Sequence, residues 1–206
     1  MKNIIILLLL LTVSVLAQAR TGDAKKGRVI AESICFACHG LNGVSPIPTQ
    51  PHLAAQLPDY IVKQLTNMKS INGAPPARSN PIMSGVVAML SDDDIHNVAA
   101  WYGAQAPKRS FSNDRKLVSD GEHLWRAGDL DRGVPACAAC HGPNGSGMPA
   151  LYPRLSGQYQ EYTELQLQHF KEGSRNNDPN SIMRNIAARL SNEEIKALAD
   201  FTAGLR

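Results

Sequence analysis

A five-residue pattern occurs twice in this chain, as Cys35-Phe36-Ala37-Cys38-His39 and as Cys137-Ala138-Ala139-Cys140-His141. C-x-x-C-H is the attachment sequence of a c-type haem: the two vinyl groups form thioethers with the cysteines, and the adjoining histidine ligates the iron. The two copies use all four cysteines of the chain. Any fold available to this sequence has to enclose a porphyrin at two places about a hundred residues apart.

Other readings of paired cysteines explain less. A four-cysteine zinc ribbon separates its pairs by roughly 15–20 residues and needs no histidine after each second cysteine. A thioredoxin-like redox pair would follow a strand-helix-strand pattern, and no run of alternating or β-branched residues precedes either motif. Two structural disulfides are chemically open to an exported protein, but they leave the paired histidines unexplained.

The N-terminus reads as a secretory signal. Lys2 precedes an apolar run from Ile4 to Leu11 that continues through Val13, Val15 and Leu16, and Ala17-Gln18-Ala19 supplies small residues for cleavage after Ala19. The alternative is a retained membrane anchor; the stretch is short for a spanning helix and the cleavage motif favours removal. Nothing later in the chain is apolar and long enough to span a bilayer.

Removing that segment from the 206 residues leaves about 187, enough for two small domains. A domain of that size buries a limited fraction of its surface, so a covalently held porphyrin would supply part of its core. Charge points to no polyanionic partner. Arg20 to Pro107 carries seven Lys and Arg against six Asp and Glu, and Lys108 to Arg206 carries thirteen against twelve, with no basic patch for nucleic acid.

The two halves repeat. An offset of 102 aligns Cys35 with Cys137, Pro51 with Pro153, Leu53 with Leu155, Gln56 with Gln158 and Tyr60 with Tyr162. Further on the offset becomes 100, aligning Ile82-Met83 with Ile182-Met183 and Leu90-Ser91 with Leu190-Ser191. Each copy holds a complete motif, so the expected layout is a signal peptide over 1–19 and domains over 20–107 and 108–206, joined by a polar linker near Ala106 to Arg115. The secondary structure expected is helical throughout. Asp23 caps a helix from Ala24 to about Ile34, and Ser119 or Asp120 plays that part in the second half. Ser91 to Asp94 and Ser191 to Glu194 resemble capping boxes opening the last helix of each half, and a further helix is expected around Pro58 to Met68 and Tyr159 to Phe170.

The repeat also selects a second axial ligand. Met89 aligns with Arg189, Met68 with Phe170 and Met148 with Pro46, whereas Met83 and Met183 recur, each seven residues before the Leu-Ser of the closing helix. A methionine more often fills a core than binds a metal, but a matched pair in a duplicated haem domain fits His/Met ligation. Of the remaining histidines, His52, His96, His123 and His169 have no counterpart at the equivalent position. The expected iron ligands are therefore His39, Met83, His141 and Met183.

Together, Pro135 to Gly142 with Asn144-Gly145, Pro153-x-Leu155-x-Gly157-Gln158 and the methionine before Leu-Ser make the chain resemble the dihaem cytochrome c4 family over essentially its whole mature length. That resemblance implies an all-α fold of two tandem cytochrome c domains related by a pseudo-two-fold axis, with haem propionates facing each other between them. It implies two covalently bound haem c groups and a periplasmic electron carrier. The partners it implies are an upstream quinol-oxidising complex and a membrane-bound oxidase, at a surface where peripheral membrane association is also open. By the same resemblance, Pro51 and Pro153 accept hydrogen bonds from the proximal histidines through their carbonyls. Ala55, where the second half has Gly157, departs from the pattern. Two rival readings stand beside the carrier: the cytochrome subunit of a catalytic complex such as a flavocytochrome sulfide dehydrogenase, and a dihaem peroxidase with a displaceable sixth ligand.

Overall fold

The computed structural model describes residues 21–205; the segment read as a signal peptide lies outside the described residues. Among the described residues the chain is helical, and its few β contacts are isolated bridges. The N-terminal half consists of α1 (Ala24–Ile30), α2 (Phe36–His39), α3 (Pro58–Met68), α4 (Pro81–Val87) and α5 (Asp92–Gly103). The C-terminal half repeats the order with α6 (Arg115–Arg126), α7 (Ala138–His141), α8 (Gln160–Glu172), α9 (Ile182–Ala187) and α10 (Asn192–Gly204).

Each half closes around its own apolar core. The first gathers Ile61, Leu65 and Met68 of α3 with Ile95, Val98, Ala99 and Tyr102 of α5, and the second gathers Leu124 and Trp125 of α6 with Ile195, Leu198 and Phe201 of α10. The first and last helices of each half cross at a glycine. A β-carbon on Gly27 would lie 1.9 Å from the carbonyl oxygen of Asn97, and one on Gly121 would lie 2.2 Å from that of Ala197. Backbone touches backbone at both crossings, so no larger residue fits without moving a helix.

The helix ends follow side-chain chemistry. Ser91 and Asp94 exchange hydrogen bonds as a capping box on α5, and Ser191 and Glu194 do so on α10, as the sequence predicts. Two starts differ from expectation. The α-helix after Asp23 stops at Ile30, and residues 31–35 form a π turn that delivers Cys35 to the motif. In the second half the cap is Asp114, not Ser119 or Asp120. Its carboxylate accepts from the amides of Lys116 and Leu117, while Asp200, fully buried, accepts from the amides of Asn113 and Asp114. The extra length between that helix and its motif is taken up by a tight excursion in which Asp129 and Val134 exchange backbone hydrogen bonds of 2.7 Å.

The halves meet in a seam built from repeated residues. Gln158 accepts from the His52 amide (2.9 Å) and donates to the His52 carbonyl (3.0 Å), while Gln56 does the same to Arg154 at 2.8 and 3.0 Å. His52 and Arg154 are repeat partners, so the exchange is reciprocal, as a pseudo-two-fold relation requires. The Tyr159 hydroxyl adds a bond to the Ser45 carbonyl at 2.8 Å.

Candidate haem sites

Both C-x-x-C-H segments form a single helical turn, α2 and α7, each ended by a glycine at positive φ, Gly40 and Gly142. No two of the four cysteines pair as a disulfide, and none is fully buried or fully exposed. Burial pushes the Cys35 thiol up from its ordinary pKa and pushes that of Cys137 up to about 11. No group of three or more His, Cys, Asp or Glu side chains gathers as a metal site among the described residues.

The histidines are the most constrained members of each site. His39 is 6% exposed and His141 7%. The Nδ1 of each lies 3.0 Å from a proline carbonyl, Pro51 for His39 and Pro153 for His141. A carbonyl only accepts, so Nδ1 carries the proton and the Nε2 lone pair is left for a ligand bond. Burial lowers both imidazole pKa values, against a smaller upward pull from the proline carbonyl, and so favours the neutral ring that a metal needs.

The methionines arrive on equivalent helices held by different devices. Met83, near the start of α4, packs half-buried against the core that includes Cys35, and its amide donates to the Asn80 side chain at 3.0 Å. Met183, half-buried on α9, precedes Arg184, whose amide and Nε both donate to Asp178 at 3.0 and 2.8 Å. Met68 is buried core, and Met89 is exposed. His52 takes a structural part: its Nδ1 accepts from the Ser45 amide at 3.0 Å and its ring stacks on Tyr159 with centroids 4.1 Å apart. Burial, then Lys108, hold its pKa down at about 4.

Two thiols on one turn, a buried imidazole with its Nε2 free and a half-buried thioether are the donors a c-type haem uses, so the residues fit that group in both halves. The family model for cytochrome c matches residues 24–102 and again 118–205. The chain is 44% identical over 210 residues to the cytochrome c4 of Azotobacter vinelandii, covering 99% of each protein. It superposes on the crystal structure of reduced recombinant cytochrome c4 from Pseudomonas stutzeri with a TM-score of 0.83 at 40% identity, covering 90% of this chain and 100% of that one. The chain belongs to the cytochrome c4 family. It is therefore a dihaem electron-transfer cytochrome with covalently bound haem c and a Cys-x-x-Cys-His motif in each domain. Within the wider set of relatives, a protein named thiosulfate dehydrogenase electron acceptor from Stutzerimonas stutzeri is 35% identical over 196 residues, 91% of this chain and 88% of that one.

Sequence reasoning did not find the polar side chains that join the two cytochrome domains. Gln56 and Gln158 were visible as repeat partners, but nothing in their neighbourhood distinguishes a seam glutamine from a surface one. Arg78 and Arg175, both buried, sit in loops too different to align.

Proposed function

We propose that the chain is a periplasmic electron carrier with one haem attached at Cys35 and Cys38 and a second at Cys137 and Cys140. His39 and Met83 would hold the first iron, and His141 and Met183 the second. The observation that carries this reading is the matched pair of buried imidazoles, each locked by a proline carbonyl in the tautomer that offers Nε2. Haem supplies a one-electron iron couple. The chain supplies two anchoring thioethers, a fixed imidazole and a soft sulfur that favours the ferrous state and raises the potential.

An iron held by both an imidazole and a thioether would leave no position for a substrate, which supports a carrier of electrons over a catalyst. The remaining parts of the proposal are export with cleavage after Ala19, domains over 20–107 and 108–206, a quinol-oxidising complex as donor and a membrane-bound terminal oxidase as acceptor. Among the described residues no helix is long and apolar enough to cross a membrane. A second reading, service as the acceptor or docked subunit of a thiosulfate-oxidising enzyme, is favoured by the 35% identical relative of that name.

A spectroelectrochemical titration of wild type, Met83→Ala and Met183→Ala tests the ligands: each substitution lowers one haem's potential and leaves the other largely alone. An unchanged potential in either variant removes that methionine. Reoxidation by oxidase-containing membranes, set against reduction by a thiosulfate dehydrogenase with thiosulfate, separates the two physiological readings.

A further inference from the structure

A narrow pocket lies where the two domains meet, and its walls come in repeat pairs. His52, Ala54 and Gln56 of the first half line it, and so do Arg154, Ser156 and Gln158 of the second. The offset of 102 that aligns the halves matches these residues one to one, so the pocket lies on the pseudo-two-fold axis. All of them are buried except Arg154, which is half-buried. Lys108, from the polar linker, reaches the same pocket.

Two buried polar atoms on these walls have no partner within the chain, His52 Nε2 and the Ser156 hydroxyl. The His52 atom is a donor. Its Nδ1 already accepts from the Ser45 amide at 3.0 Å, and burial, then Lys108, hold the ring pKa down at about 4, so the neutral ring carries its one proton on Nε2. The glutamines offer no acceptor in return. Gln56 Oε1 accepts from the Arg154 and Leu57 amides at 2.8 and 3.0 Å, which uses both lone pairs. Gln158 Oε1 likewise accepts from the His52 and Tyr159 amides at 2.9 and 3.0 Å. Each glutamine Nε2 donates to one carbonyl and keeps a second hydrogen.

The charges at the pocket are of one sign. Among the described residues neither Lys108 nor Arg154 takes part in an ion pair, and no carboxylate lines the pocket. Burial lowers the Arg154 pKa with no carboxylate opposing it. A water molecule here would find donors for its oxygen, but its hydrogens need acceptors and the Ser156 hydroxyl is the one side-chain acceptor left. An anion accepts from every one of these donors and offsets both cations. The pocket has room for one ion of about halide size.

We propose that this pocket binds one small inorganic anion, a halide such as chloride, held by His52 Nε2, the Ser156 hydroxyl and the cations of Lys108 and Arg154. Both domains contribute to it, so the site is complete only while they are docked. An anion that binds the docked form alone strengthens the joint as its concentration rises. The ion is a clasp between the two cytochrome domains, and the proposal does not depend on which side chains hold the irons.

The test uses the intact two-haem protein, with sodium chloride as the probe at constant ionic strength. Broadening of the chloride NMR line reports exchange of the ion with a protein site, and added bromide reverses it by competition. Ser156→Ala gives the second half the residue that the first half already has at Ala54. It is expected to weaken chloride binding about tenfold, the worth of one hydrogen bond to a charged group. Lys108→Gln removes an exposed cation and is expected to weaken binding about threefold, while Lys108→Arg retains it. A wild-type crystal grown in sodium bromide is expected to show an anomalous peak within hydrogen-bond reach of His52 Nε2 and Ser156 Oγ. Broadening that is equal in wild type, Ser156→Ala and Lys108→Gln overturns the proposal, because the ion then binds elsewhere on the surface. A bromide crystal with no peak in the pocket also overturns it, since the pocket would then hold water or a haem carboxylate. Should Ser156→Ala fail to fold, Lys108→Gln and the bromide crystal decide.

Discussion

The repeats differ most tellingly at Ala55 and Gly157, which make the same turn with unequal freedom. Ala55 has φ 56° and Gly157 φ 76°, and their amides donate to Tyr102 and Thr202 carbonyls at the same 3.1 Å. Ala55 departs from the glycine of the second half, yet the structure retains the same backbone with a left-handed alanine. That conformation costs an L-residue about 1–2 kcal/mol, partly offset because alanine has less unfolded-state entropy to lose than glycine. Ala55→Gly is expected to stabilise the protein by about 0.5–1 kcal/mol, read from the urea midpoint at constant m-value. Gly157→Ala is expected to destabilise it, since the added β-carbon would lie 2.3 Å from the Lys108 carbonyl oxygen. The proximal histidines were legible because their motif is local, and the proline carbonyls because the repeat marked Pro51 and Pro153. Nothing in the sequence signalled that the carbonyl two residues beyond each motif, Leu41 in one half and Pro143 in the other, is satisfied by different tryptophans. Trp101 of α5 reaches Leu41 at 2.9 Å, whereas Trp125 of α6 reaches Pro143 at 3.2 Å.

Helices with local start signals were readable, and those shaped by tertiary contact were not. Pro58 to Met68 and the two capping boxes depend on neighbours in sequence. The cap at Asp114 is fixed by Asp200 of α10, which accepts from its amide, and the π turn at 31–35 carries no start signal of its own. The excursion before the second motif, absent from the first half, adds a pH dependence. Arg132 in that excursion donates to Asp129 at 2.6 Å and pairs with Glu194 in the capping box of α10. Hydrogen bonds from Arg132 are the leading cause that holds both carboxyl groups below their usual pKa. A depressed carboxyl contributes stability that is present above its unfolded pKa and is lost as pH falls through its folded value. Stability measured from neutral pH down through the carboxylate range is therefore expected to fall more steeply in wild type than in Arg132→Gln, with the two converging once both groups are protonated. Parallel curves would detach the excursion from the helix cap.

Seen whole, the molecule is a duplication whose halves could be counted from the sequence but whose joint could not. Spacing and offset revealed two haem domains, since a tandem repeat preserves local motifs. The seam depends on residues that read as ordinary polar surface: Gln56 and Gln158 bridging to the backbone of the other half, and arginines delivered by loops of different length. Removing one glutamine leaves two backbone N–H groups and one C=O without that partner. Gln56→Ala and Gln158→Ala are each expected to cost about 2–3 kcal/mol, and the double variant to turn one denaturation transition into two, recorded by fluorescence against haem absorbance. A single coincident transition in the double variant would show that the domains are joined by other means. The claim beneath all of this is that each half holds an iron between imidazole and thioether. The most direct measurement is the proton NMR spectrum of the ferrous protein, where a methionine methyl over a haem is shifted far upfield by the ring current. Two such methyl signals are expected, one lost in Met83→Ala and the other in Met183→Ala; one signal, none, or a pair unaffected by either substitution would contradict the account.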